Sequence, residues 1–184
     1  MAENPGWVCA EGDESSAFQR VSRDEMRRAL LEHLPEFIPY FSGAYDGPAG
    51  IHYGEHTMED RLSEHGCQQG CSWGTLLFAL ARLRMHKRLR EQHPDVHILS
   101  MSDDIFIVGP PAAVAAAFED WRDSVRADGG KPNLGKCKFW GANRAAVGHD
   151  SIVTLSRVVD ADGNPAGINV CDWPVTAGDG GAAR

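Results

Sequence analysis

A chain of 184 residues, 42% hydrophobic and 24% charged, holds one domain with one core and excludes a repeat array. Eighteen Lys and Arg against 26 Asp and Glu give a net charge of -8, the wrong sign for a protein whose whole surface grips nucleic acid; any polyanion is met locally. No apolar run approaches the roughly 20 residues of a membrane-spanning helix, and MAENPGWVCAEGDE has neither the basic start nor the apolar stretch of a secretion signal, which predicts an intracellular protein, nuclear or cytoplasmic.

In chain order, WVCA reads as the end of a strand before Asp13, and SSAF turns towards a helix. In SRDEMRRALLEHL, Ser22 and Glu25 have capping-box spacing and Met26, Leu30 and Leu34 repeat at helical intervals, which predicts a helix from about Arg23 to Leu34, stopped by Pro35. From Pro35 to Glu64, Pro and Gly interrupt aromatic runs, the pattern of a short helix and then one strand or hairpin crossing the domain. WGTLLFALARLRMHKRLREQH is the strongest helix signal, with its first turns buried. Its Arg82, Arg84, Lys87, Arg88 and Arg90 fall on several faces, so most of the charge run is a solvated surface that suits the helix C-terminus, with a nucleic-acid role as the alternative. Val96 to Leu99 and Ile105 to Val108 are two β-rich runs at hairpin spacing, with Asp103 and Asp104 at the tip. Pro110 and Pro111 open a helix with the stripe Val114, Phe118, Trp121 and Val125, and Gly129 and Gly130 close it. KPNLGKCKFWG, SIVTLSRVV and GINVCDWPV supply further strands, and residues 177–184 read as a disordered tail. The order predicts an α+β domain, an antiparallel sheet with helices packed on one face, whose core includes Leu76, Leu77, Leu80, Val114, Phe118 and Trp121.

Five cysteines, Cys9, Cys67, Cys71, Cys137 and Cys171, lack CxxC spacing and suit reduced thiols. His65, Cys67 and Cys71, with His52 and His56 upstream, offer zinc donors by type alone. Solvated histidines and small buried thiols are the plainer reading.

Neighbouring carboxylates repel unless a cation or a proton compensates. Magnesium takes a few hard carboxylate oxygens and keeps positions open for substrate phosphates, so the pair Asp103 and Asp104 calls for an acid from elsewhere, and Asp13 is the candidate. A plain acidic turn is the alternative.

DESSAFQRVSR, GCQQGCSWGTLLFALA, SMSDDIFIVG and PNLGKCKFWG resemble, in order and spacing, the palm motifs of reverse transcriptases, RNA-directed DNA polymerases, particularly the non-LTR retrotransposon type. The resemblance implies a ferredoxin-like palm as a single domain over residues 1–176, the fingers and thumb being absent. It implies Mg2+ or Mn2+ held by Asp13, Asp103 and Asp104, which are also the catalytic acids, with Lys136 protonating pyrophosphate. Phe18 would exclude the ribose 2′-hydroxyl, and Gln69 and Gly70 would contact the incoming nucleotide. GINVCDWPV weakly resembles the primer-grip strand. The implied partners are an RNA or DNA template-primer, a deoxynucleoside triphosphate and the fingers and thumb segments. The chain departs from the family where Met101 and Ser102 precede the acids and where Cys71, Ser72 and Trp73 follow Gly70. The expectation is a retroelement polymerase fragment, inactive alone. The alternative is a non-catalytic remnant that serves as a structural or interaction module.

Overall fold

The computed structural model describes residues 4, 6–53, 56–68, 70–141, 156–157, 168–170 and 173–175. The expected tail at 177–184 lies outside them.

Strand β1 (Val8–Gly12) leads through a short helix α1 (Ala17–Arg20) to α2 (Arg23–His33). The expected cap forms: the Ser22 hydroxyl accepts the Glu25 N–H at 3.4 Å. Pro35–Phe37 makes one 3-10 turn before α3 (Ile38–Tyr45). Among the described residues, strands β2 (Ala49–Tyr53) and β3 (His56–Ser63) pair only with each other, so this hairpin forms its own two-stranded sheet instead of joining the main one. The long helix α4 (Gly74–Gln92) precedes the hairpin β4 (His97–Met101) and β5 (Asp104–Gly109), and α5 (Pro111–Ala127) is followed by its C-cap Asp128 just before Gly129 and Gly130. β6 (Lys138–Gly141) and β7 (Ser156–Arg157) complete the main sheet, and β8 (Ile168–Val170) pairs with β9 (Trp173–Val175) separately.

The main sheet runs β4-β5-β1-β6-β7, antiparallel except for the parallel β6–β7 pair. Side chains alternate across it. Val8 and Ala10 of β1, Ile105 and Ile107 of β5 and Phe139 of β6 meet Val114, Phe118, Trp121 and Val125 of α5 in one buried cluster. Glu11 pairs with Phe106 and with Lys138, which places these three on the opposite face. A second cluster packs α1, α2, α3 and α4 through Met26, Leu30, Phe41, Leu77 and Phe78. This is the expected α+β arrangement, with two differences in the core. Leu76 and Leu80 are only half-buried, because α2 covers α4 along the line of Leu77, Phe78 and Ala81 and these two flank that line. Among the described residues no helix is long and apolar enough to cross a membrane.

Candidate active site

Register brings distant acids to one end of the sheet. Gly12 lies opposite Ile105, so Asp13, the next residue along, reaches the level of Asp104 on the neighbouring strand. Met101 pairs with Asp104, which leaves Ser102 and Asp103 as the two-residue turn between β4 and β5. Ser102 holds φ 56, the left-handed conformation that such a turn requires and that glycine usually supplies. Burial first, and then the charges of Asp103 and Asp13, push the Asp104 carboxyl above the usual range, against the opposing pull of Lys138. Glu11, on the same face, is likewise raised by burial, and Asp104 and Asp13 add to the effect while Lys138 opposes it.

The backbone around Asp13 is pinned to the segment before β6. The Asp13 carbonyl accepts the Asn133 N–H at 2.8 Å, its own N–H donates to the Cys137 sulfur at 3.3 Å, and the Ser15 N–H donates to the Lys131 carbonyl at 2.8 Å. Glu14 is buried and receives Arg82 Nη2 at 2.5 Å on Oε2. Arg82, expected within a solvated charge run, is instead 2% exposed. Its other amine, Nη1, donates to Asp128 at 3.2 Å, so one guanidinium ties α4 to the loop after β1 and to the end of α5. Burial outweighs Arg82 at Glu14 and raises its carboxyl, with Asp103 and Asp128 adding to the rise.

Lys136 stands exposed in the turn before β6, its N–H donating to the Asn133 carbonyl at 2.9 Å. Two residues on, Lys138 places Nζ 3.3 and 3.4 Å from the two Glu11 carboxylate oxygens and acts on Asp104. The sequence patterns single out neither Lys138 nor Glu11 nor Glu14, and they place Arg82 only in a solvated charge run and Cys137 only among the reduced thiols. No local signal marks any of them, since each acts across a contact made only by the fold.

Phe18 stacks on Phe78, ring centroids 4.4 Å apart and planes 22° from parallel. With Gly70, Cys71 and Thr75 it lines a hollow of about 240 Å³ at the start of α4. Gly70 has φ +82 and open space where a Cβ would stand; Gln69 lies outside the described residues. The loop is docked on α1 by the Cys67 N–H to Phe18 carbonyl bond of 2.7 Å and the Gly66 N–H to Val21 carbonyl bond of 3.0 Å. Burial tends to raise the Cys71 thiol, yet hydrogen bonds from Tyr45, Tyr40 and the Trp73 and Gly74 N–H groups lower it overall.

Among the described residues no three His, Cys, Asp or Glu side chains are gathered so as to hold a metal ion. For zinc the thiols are engaged elsewhere, Cys67 donating to the Gly74 carbonyl at 3.3 Å and Cys71 lying 3.7 Å from the Tyr40 hydroxyl. For magnesium the demand is smaller, since it is held by one or two carboxylates together with substrate phosphates. The donor chemistry at the sheet end, hard carboxylates with Asp104 raised by burial and then by its acidic neighbours, fits that kind of ion.

No protein-family profile matches the chain, and no curated protein is similar to it at the sequence level. Solved structures are similar in fold. Apo telomerase from Candida tropicalis superposes with a TM-score of 0.57 at 12% identity, over 77% of this chain and 30% of that one. The telomerase of the same organism in complex with a TWJ fragment of telomeric RNA gives 0.54 at 14% identity, over 76% and 26%. The chain thus has a reverse-transcriptase-like, palm-type fold and spans less than a third of the telomerase chains it matches.

Proposed function

We propose that this chain is the palm of a retroelement RNA-directed DNA polymerase of the non-LTR type, catalysing nucleotidyl transfer to a primer 3′-hydroxyl. The observation that carries the reading is the register that sets Asp13 beside Asp104, with Asp103 in the adjoining turn, at one sheet end. Asp13, Asp103 and Asp104 would hold Mg2+ or Mn2+, which when bound supplies activation of the primer hydroxyl and stabilises the departing pyrophosphate. The chain's own residues do the rest. Asn133 and Cys137 hold the Asp13 backbone in place. Phe18, braced by Phe78, stands at the hollow where it would meet a ribose, and Gly70 lets the backbone approach the nucleotide. Lys138 offsets the acids at the sheet end, and the exposed Lys136 remains the candidate proton donor to pyrophosphate. The partners are a template-primer and a deoxynucleoside triphosphate.

Positioning of the substrates supplies much of the rate in phosphoryl transfer. The 184 residues by themselves are therefore expected to extend a primer poorly while still binding metal. A Mn2+ titration of the wild type and of Asp103→Asn tests this. Binding weakened about tenfold or more in the variant supports the reading. Equal, negligible binding by both overturns it and leaves a non-catalytic remnant.

A further inference from the structure

On α4, Arg84, Lys87, Arg88 and Glu91 recur at the spacing of one helical face. Across from them Arg28 projects from α2, and together these side chains wall a hollow of about 540 Å³ between the two helices, floored by Ala81 and Met85. Two of its three acids are committed: Glu25 pairs with Arg28, and Asp128 accepts from Arg82 at 3.2 Å, while Glu91 forms no ion pair among the described residues. Arg88 is steadied by a hydrogen bond to the Ser124 hydroxyl. Arg84 and Lys87 are accessible and form no ion pair among the described residues. A second hollow of about 590 Å³, with Arg20 and His65 in its wall, adjoins the first and shares Asp128 with it.

We propose that the groove between α2 and α4 binds the phosphate backbone of a single nucleic-acid strand, distinct from the segment presented to the acids. The groove belongs to the helix layer, whereas the strand register sets Glu11 and Asp104 on the sheet face away from α5. Arginine presents a planar fork that matches phosphate oxygens, and two adjoining hollows let a chain of phosphates continue from one to the next. This goes beyond the proposed nucleotidyl transfer and rests on it for the choice of nucleic acid over an acidic protein.

The probe is a fluorescein-labelled oligouridylate of about 20 nucleotides, followed by anisotropy from about 50 to 200 mM salt. The wild type should bind with marked salt dependence. The double variant Arg84→Glu, Lys87→Glu should bind at least about tenfold more weakly, and Arg84→Gln, Lys87→Gln should lower the slope of log affinity against log salt by about 1.4, as expected for two lost single-strand phosphate contacts. Both positions are at the surface, and an unchanged melting temperature verifies the fold. Absence of wild-type binding, or affinities and slopes equal to wild type in both variants, would sink the proposal. Displacement of the RNA by polyglutamate at equal charge would also overturn it, in favour of an acidic protein partner. Arg84→Gln, Lys87→Gln should leave the Mn2+ titration as in the wild type, so failure of this groove and failure of the metal site are read separately.

Discussion

His86 lies inward on α4, and burial, then the charges of Arg82 and Arg90, push its imidazole from the ordinary 6.5 down to about 4. A group whose folded pKa lies below its unfolded one contributes stability above the unfolded value and loses it as pH falls through the folded one. His86 therefore costs the fold up to about 3 kcal/mol between pH 6.5 and 4. The raised carboxyls Asp104, Glu11 and Glu14 act oppositely, their contribution being full at low pH and lost as pH rises through their raised values. The difference in urea stability between wild type and His86→Leu isolates the histidine, and the acid-side loss should vanish in the variant. Gly66 is the second residue with a single cause. It has φ +69, and a Cβ there would stand 2.3 Å from the Gln19 carbonyl carbon and 2.4 Å from the Phe18 oxygen. Gly66→Ala should cost about 2–3 kcal/mol and enlarge the hollow beside Phe18, measurable by urea unfolding. Gly70, left-handed but open, should tolerate alanine better.

Between elements, the buried Glu14–Arg82 pair, together with the half-buried Asp128, joins the loop after β1 to α4 and α5. Removing one partner of a buried pair leaves an uncompensated charge, so Arg82→Ala should cost about 3–5 kcal/mol. The double variant with Glu14→Ala should cost clearly less than the sum of the two single changes, because the second removal takes away the stranded carboxylate. Additive costs in such a cycle would show that the pair is not coupled. The helices themselves were legible before the fold was known. Ser22 with Glu25 marks the start of α2, and the prolines and glycines around α5 bound it, since capping and φ preferences act within a few residues.

At the scale of the molecule, β4 is the edge of the main sheet among the described residues, and its Leu99 and Met101 are 53% and 58% exposed. An apolar edge strand invites pairing with another copy. Leu99→Lys together with Met101→Lys should keep the chain monomeric to higher concentration at unchanged melting temperature, as read by size-exclusion chromatography with light scattering.

The sequence by itself determined the α+β order, the cap of α2, the limits of α5, the β4–β5 hairpin with its two acids and, through family resemblance, Asp13 and Phe18 as candidate site residues. All of these rest on signals a few residues long. Tertiary structure alone decided that Asp13 comes level with Asp104, about 90 residues away, that Arg82 is a buried tie rather than a solvated charge, that Lys138 acts on Asp104, and that the β2–β3 hairpin pairs with no strand of the main sheet among the described residues. The reason is register: strand pairing joins residues of any separation, and a shift of one position reverses which face every side chain occupies, so no local pattern carries that information.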